Sequence, residues 1–192
     1  GMNSGHAALA DWGCQNLEEE ALSMILDIGC GGGANVRRFL QCDPNAHVTG
    51  VDYSAVSVEK AGKLNAAAIQ AGHCEILQAD VSSLTFPENT FDLVTAFETV
   101  YFWPEIGRSF GQIFRVLRPG GRFLIVNEST GTDAAAVKYS KIIDGMQLYT
   151  PEQLKALLEE AGFAEVKLRQ ASEKPWIAVL GRKPEKGKAG VK

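Results

Sequence analysis

Long apolar runs are missing from this chain of 192 residues: no stretch approaches the ~20 apolar residues that cross a bilayer, and no basic segment followed by an apolar one opens the sequence. No membrane partner and a cytoplasmic location are therefore expected. An excess of positive charge is missing too. There are 19 Lys and Arg against 23 Asp and Glu, a formal net charge of -4, and this balance argues against a nucleic-acid partner. Cysteine is scarce. Cys14, Cys30, Cys42 and Cys74 stand far apart without a C-x-x-C pair, so reduced thiols are expected, with neither a zinc knuckle nor a redox dithiol, and no metal site. Neither an internal repeat nor an interdomain linker is visible.

What is present is enough apolar material, 45% of residues, to bury one core. Short β-type runs alternate with helical patterns, beginning with MILDIG at 24–29 and ANVRRFLQC at 34–42. HVTGVDYS reads as a second strand ending at Asp52, and residues 54–71 as one long helix capped by Ser54. CEILQAD stops at Asp80, and FDLVTAF is apolar enough for a central strand buried on both faces. Pro104 suits the first turn of the next helix, whose Ile106, Phe110, Ile113, Phe114 and Leu117 make one stripe that ends at RPGG. After a fifth strand, RFLIVNE, comes TPEQLKALLEEAGF. Here Thr150 caps a helix, Pro151 takes its first position, Gln153 completes a capping box and Gly162 ends it. AEVKLRQ and WIAVLG are joined too briefly for a parallel crossover and must pair antiparallel. The fold class is α/β, built on a mostly parallel sheet.

The chemistry begins at DIGCGGGA, where Gly29, Gly31 and Gly33 clear side chains from a strand-to-helix turn and let a ligand approach the backbone. Gly29, Gly31 and Ala34 also fit a dinucleotide fingerprint, so a nicotinamide-dependent oxidoreductase stays open at this point. Asp27, two residues upstream, would repel a pyrophosphate and attract an ammonium group. Asp52 closes the second strand at the edge where open α/β sheets bind ligands, and a carboxylate there can accept from both hydroxyls of a ribose. Tyr53 can pack on an adenine. Asp80 ends the third strand, where it either takes an adenine amino group, with the Val81 backbone addressing the ring, or caps its own loop. Three acids at three successive strand ends carry more weight together than any one does.

In order along the chain, ILDIGCGGGANV, VDYS, LQADVSSLTFPENTFDLV and FRVLRPGGRFLIV resemble the glycine motif, the ribose-acid motif, the third-to-fourth-strand passage and the fifth-strand motif of the class I S-adenosylmethionine-dependent methyltransferases. The resemblance covers about residues 22–181. It implies a Rossmann-like three-layer sandwich around a seven-stranded sheet, mostly parallel, with the last strand inserted antiparallel. It implies S-adenosylmethionine as cofactor and S-adenosylhomocysteine as product. By the same resemblance Asp27, Gly29, Cys30, Gly31 and Gly33 sit at the methionine end, Asp52 and Tyr53 at the nucleoside, Asp80 and Val81 at the adenine, and Phe97 beside the cofactor at the end of the fourth strand.

A small-molecule acceptor is expected next to Glu98, Tyr101, Phe102 and Trp103, which follow the fourth strand and depart from the N/D-P-P-Y/F pattern of amino-group methylating members. Glu98 and Tyr101 are the catalytic candidates. Glu98 suits a base or a counter-ion, and Tyr101 and Trp103 can enclose a cation or a flat ring, although Phe102 and Trp103 also suit plain packing. Residues 1–21 are read as a helical segment or lid carrying His6 and Trp12, and 182–192 as a flexible tail. Residues 129–150, with Tyr139, Met146 and Tyr149, are a candidate substrate cover. A homodimer is compatible with this reading. A catalytically silent binding protein of the same fold is the remaining alternative.

Overall fold

The computed structural model describes residues 2–17, 20 and 22–185. Helix α1 (Met2–Cys14) precedes β1 (Met24–Ile28), and then come α2 (Ala34–Cys42), β2 (His47–Asp52), α3 (Ala55–Leu64), α4 (Ala66–Gln70) and β3 (Cys74–Gln78). The second half runs through β4 (Phe91–Phe97), α5 (Ile106–Val116), β5 (Leu117–Asn127), α6 (Ala134–Ser140), α7 (Pro151–Glu160), β6 (Ala164–Gln170) and β7 (Ile177–Arg182). The strands form one sheet in the order β3-β2-β1-β4-β5-β7-β6. All pairs are parallel except β5 with β7 and β7 with β6. The late hairpin therefore inserts β7 as an antiparallel strand, as its short connection requires.

Both faces of the sheet are covered, and the central strands are apolar on both sides for that reason. On β5, Phe123 and Ile125 join one core with Phe110 and Ile113 of α5 and Leu154 and Leu158 of α7. Leu124 and Val126 join a second core with Leu9 of α1, Val36 and Phe39 of α2 and Ala61 of α3. This is a three-layer α/β/α sandwich. Strand order reverses between β1 and β4, so their carboxyl ends diverge and leave the crevice in which folds of this kind take ligands.

Three local readings need correction. Residues 54–71 do not make one helix, because the buried Asn65 bends its side-chain amide onto the carbonyls of Ala61 (3.0 Å) and Gly33 (3.2 Å), and the chain restarts as α4. Pro104 lies ahead of α5 rather than in its first turn. The helix is capped at Glu105, after a 3-10 turn over Val100–Phe102. RPGG does not separate α5 from a strand that starts at Arg122. β5 begins at Leu117 opposite Phe91, and the ladder resumes with Leu93 opposite Arg122, so Arg118–Gly121 bulges out of the edge. Elsewhere the caps form as expected. Ser54 accepts from Ser57 N–H, and Thr150 and Gln153 complete the capping box of α7.

At the ends of the chain, α1 lies on the sheet. Leu9 and Ala10 are buried, Gly13 abuts Val126, and Trp12 meets Trp176 at 6.0 Å with the Arg169 guanidinium 4.8 Å from its ring. His6 is exposed. The ordered chain runs past residue 181: Arg182 closes β7, and the Lys183 ammonium donates to Asn89 Oδ1 (3.0 Å) and to the carbonyls of Phe114 and Leu117 (both 2.8 Å). Residues 186–192 of the expected tail lie outside the described residues.

Candidate active site

The loop after β1 bends through Gly29 (φ 70°), Gly31 (φ 53°) and Gly33 (φ 86°), all in the left-handed region that glycine enters without strain. Their tasks differ. A side chain at Gly29 would collide with Thr99, and one at Gly33 would come within 2.9 Å of Ala61 on α3, so both glycines serve close packing. At Gly31 and Gly32 an added side chain would meet nothing, because that part of the loop faces open space. The amides of Gly29 and Cys30 donate to Val51 O (2.8 and 2.9 Å), and the Gly31 amide donates to Asp52 Oδ2 (2.9 Å). The Cys30 side chain is buried, and burial pushes its thiol up to about 12, so it stays protonated.

A cavity of about 600 Å³ opens at the carboxyl edge of the sheet, a size suited to a small ligand. The strand ends supply its wall: Ile28 and Gly29 after β1, Asp52 and Tyr53 after β2, Asp80 and Val81 after β3, and Glu98 and Thr99 after β4. Asp52 also holds Ser54 N–H through Oδ1 (2.9 Å), which fixes its carboxylate while leaving lone pairs on both oxygens. Asp80 caps its own loop, its Oδ1 accepting from Ser82 N–H and Oγ–H at 2.8 Å each, and these bonds hold it below the usual carboxylate range. The loop-capping alternative is thus real, and the same residue still lines the cavity. Tyr53 is 80% exposed, its ring free to cover a ligand.

Asp27 stands apart from this wall. It is buried behind the glycine loop, accepts from Thr95 Oγ–H at 2.7 Å, and burial, with Asp52 nearby, pushes it up to about 7. Phe97 points to the opposite face, where it packs 6.3 Å from Phe39 and lines a separate cleft of about 230 Å³ with Asp11, Cys14 and Arg38. The structure thus brings Gly29, Asp52, Tyr53, Asp80, Val81 and Glu98 to one cavity, and leaves Asp27, Cys30, Gly31, Gly33, Phe97 and Tyr101 off its lining.

On the side toward α5, Glu98, Phe102, Trp103 and Pro104 complete the cavity. Glu98 adopts φ 58°, which is uncommon for a residue with a side chain and is held by its surroundings: its N–H donates to Val126 O at 2.9 Å. Its Oε1 accepts from Tyr101 O–H at 3.1 Å and from Glu128 N–H, and the Glu128 carboxyl lies within hydrogen-bonding reach of the same group. Burial raises the carboxyl to about 7. Tyr101 is itself buried and reaches the cavity only through Glu98, and its burial raises the phenol further above its ordinary range. Phe102 is 50% exposed, while Trp103 is buried against Phe110 at 6.1 Å. Gln147 N–H donates to Tyr101 O at 2.8 Å, tying the 129–150 segment to this corner, but none of Tyr139, Met146 and Tyr149 lines the cavity.

Three contributors escaped the sequence reading. Thr95 holds Asp27, Thr99 packs on Gly29, and Asn65 clamps Gly33. Thr95 and Thr99 flank the end of an apolar strand where polar residues are unusual, a weak signal. Asn65 left none, since its partners are 4 and 32 residues away.

Among the described residues no cluster of His, Cys, Asp or Glu could hold a metal ion. Among the described residues the cavity wall carries Asp52, Asp80 and Glu98 and no Lys, Arg or His. Together with loop amides already bonded to Val51 and to the Asp52 carboxylate, this donor set suits a nucleoside bearing positive charge and not a pyrophosphate.

Comparison with known proteins agrees. Residues 26–125 match the family model described as a methyltransferase domain. The 27-O-demethylrifamycin SV methyltransferase of Amycolatopsis mediterranei is 33% identical over 144 residues, 72% of this chain and 53% of its own. The sterol 24-C-methyltransferase erg-4 of Neurospora crassa is 32% identical over 99 residues, 52% of this chain and 26% of its own. The chain thus spans between about a quarter and about half the length of these curated relatives. Among solved structures, the Haemonchus contortus phosphoethanolamine N-methyltransferase 2 in complex with S-adenosyl-L-methionine superposes with TM-score 0.79 at 17% identity, covering 95% of this chain and 53% of that one. The [4+2]-cyclase SpnF gives TM-score 0.78 at 20% identity, covering 93% and 81%. On the strength of the family match, and with a sheet order and glycine loop that agree with it, this chain belongs to the class I S-adenosylmethionine-dependent methyltransferases.

Proposed function

We propose that the cavity at the carboxyl edge of the sheet binds S-adenosylmethionine and that the protein transfers its methyl group to a small molecule entering beside Glu98 and Phe102. The observation that carries this reading is that Asp52 and Asp80, from consecutive strand ends, line with Gly29 one cavity beside a loop whose Gly29, Cys30 and Gly31 amides are already bonded. Asp52 would take the ribose hydroxyls, Asp80 and the Val81 backbone the adenine edge, and Tyr53 the adenine face. The open backbone at Gly31 and Gly32 leaves room for the methionine end, with Asp27 and Cys30 behind it and Gly33 packing the loop onto α3. The bound cofactor would supply an activated methyl group on a sulfonium, so the chain has mainly to align the acceptor and exclude water.

On the acceptor side, Glu98 is the catalytic residue and Tyr101 positions it by holding Oε1. Trp103 packs beneath, and Phe102 offers an uncovered ring. A small-molecule acceptor is supported by the names of the rifamycin and sterol relatives and by the net charge of -4, which disfavours nucleic acid. We place the protein in the cytoplasm; among the described residues no helix is long and apolar enough to cross a membrane.

Thermal-shift measurements with S-adenosylhomocysteine and NAD, side by side, test the reading. S-adenosylhomocysteine at 100 times its Kd should stabilise by ~2.7 kcal/mol, and NAD by nothing. Asp52→Ala should abolish the shift. A shift with NAD alone would replace this reading with the dinucleotide alternative.

A further inference from the structure

Resting on the methyltransferase reading, we propose that the acceptor is an uncharged, flat molecule bearing an acidic hydroxyl, a phenol or enol, which the Glu98 carboxylate deprotonates while Phe102 covers the ring. Three observations narrow the acceptor to this class. The first is charge: among the described residues the lining of the cavity is acidic and holds no cation, so a carboxylate or phosphate acceptor would lose its hydration with no lining side chain to pair it. The second is the built geometry of Glu98. Its backbone is held in the left-handed region by Val126, its carboxyl is held by Tyr101 and the Glu128 amide and lies against the Glu128 carboxyl, and the residue lines the cavity. A carboxyl whose charge is opposed by a second carboxyl suits acceptance of a single proton. The third is Phe102, half exposed beside Pro104 and Tyr53, an apolar surface wide enough for a planar ring.

The titration of Glu98 supports this. The groups that face it are Tyr101 from the 3-10 turn and Glu128 after β5, with Asp52 and Asp80 across the cavity. Burial, aided by the charge of Glu128 and by a hydrogen bond with its carboxyl, and opposed by the bonds from the Glu128 amide and Tyr101, raises the carboxyl to about 7, well above an ordinary glutamate. A base that strong matches a hydroxyl proton far better than an exposed carboxylate does. An amine or thiolate acceptor would need no such base.

The step balances as follows. The Glu98 carboxylate takes the hydroxyl proton as the acceptor oxygen bonds to the methyl carbon. The carbon–sulfur bond breaks and its electron pair stays on sulfur. The products are a methyl ether, S-adenosylhomocysteine and a protonated Glu98 that returns its proton to solvent.

Calorimetry on the full chain saturated with S-adenosylhomocysteine tests the class with three probes of one shape: 2-naphthol, 2-naphthoate and a naphthyl trimethylammonium. The naphthol is expected to bind at least tenfold more tightly than the other two, and Phe102→Ala to weaken it by about tenfold. Carboxyl NMR of Glu98 should report a midpoint near 7 that rises in Tyr101→Phe, because the tyrosine hydrogen bond favours the charged form. With 2-naphthol as acceptor, Glu98→Gln should lower kcat about 100-fold with little change in KM and remove the acidic limb of the pH profile. Tighter binding of naphthoate or of the ammonium, no binding of the naphthol, or a pH limb that survives Glu98→Gln would overturn the proposal. Since saturation with S-adenosylhomocysteine is measured first, its failure would count against the cofactor reading and is distinguishable from failure of the acceptor class.

Discussion

At the scale of single residues, the carboxylates divide by what surrounds them. Asp52 is held by two backbone amides at the mouth of the cavity, Asp80 by Ser82, and Asp27 sits in the dry interior with one threonine hydroxyl. Its folded-state pKa, about 7, lies above the ordinary value of 3.8, because burial disfavours the charge and Asp52 adds to the effect. A group raised in this way binds its proton more tightly when folded. The ligand-free protein should therefore lose stability as pH rises from about 4 to about 7. Asp27→Asn should remove that part of the slope, and the difference between the two Tm-versus-pH curves isolates it from the contribution of Glu98. Equal slopes would show that Asp27 titrates normally.

The glycines make a second residue-scale distinction. Gly33→Ala must force a side chain into Ala61 at a left-handed position, whereas Gly32→Ala adds a methyl group in open space at an ordinary φ. Urea unfolding should show Gly33→Ala destabilised by about 1–3 kcal/mol. Gly32→Ala should stay within ~0.5 kcal/mol of the parent. Should the cofactor pass over that stretch of loop, Gly32→Ala will bind S-adenosylhomocysteine more weakly at unchanged stability.

At the scale of elements, the strongest sequence signals belong to segments whose reasons are local. The capping box of α7 needs only Thr150, Pro151 and Gln153, and it forms as read. Thr150→Ala should cost ~1 kcal/mol, a Tm loss of roughly 2–4 °C for a chain of this size. Leu158→Ala, in the core beneath the same helix, should cost about 2–5 kcal/mol because a cavity replaces packed side chain. The misread elements are those set by distant partners. Asn65 turns its side-chain amide to a carbonyl 32 residues upstream, and Arg118–Gly121 bulges because Phe91 and Leu93 fix the register on the neighbouring strand.

At the scale of the whole molecule, the crevice exists because the chain winds outward from β1 to β3 and then returns to place β4 on the other side of β1. The far end of the fold is tied off by Lys183, whose ammonium collects Asn89 and the last carbonyls around α5. Lys183→Met should lower stability by about 1–3 kcal/mol, read as a shift of the urea midpoint at unchanged m-value. A change confined to the m-value would mean that this contact shapes the unfolded chain instead.

The α/β class, the order of the strands, the antiparallel hairpin and the run of acids at strand ends were determined by the sequence alone. They depend on periodicity, caps and loop length, all of which act over a few residues. Tertiary structure alone decided which of those acids share a cavity. It set Asp27 behind the loop, turned Phe97 to the far face and made Tyr101 a support for Glu98. Those outcomes follow from the pleat, which sends alternate side chains to opposite faces, and from hydrogen bonds between residues far apart in the chain, neither of which leaves a local pattern to read.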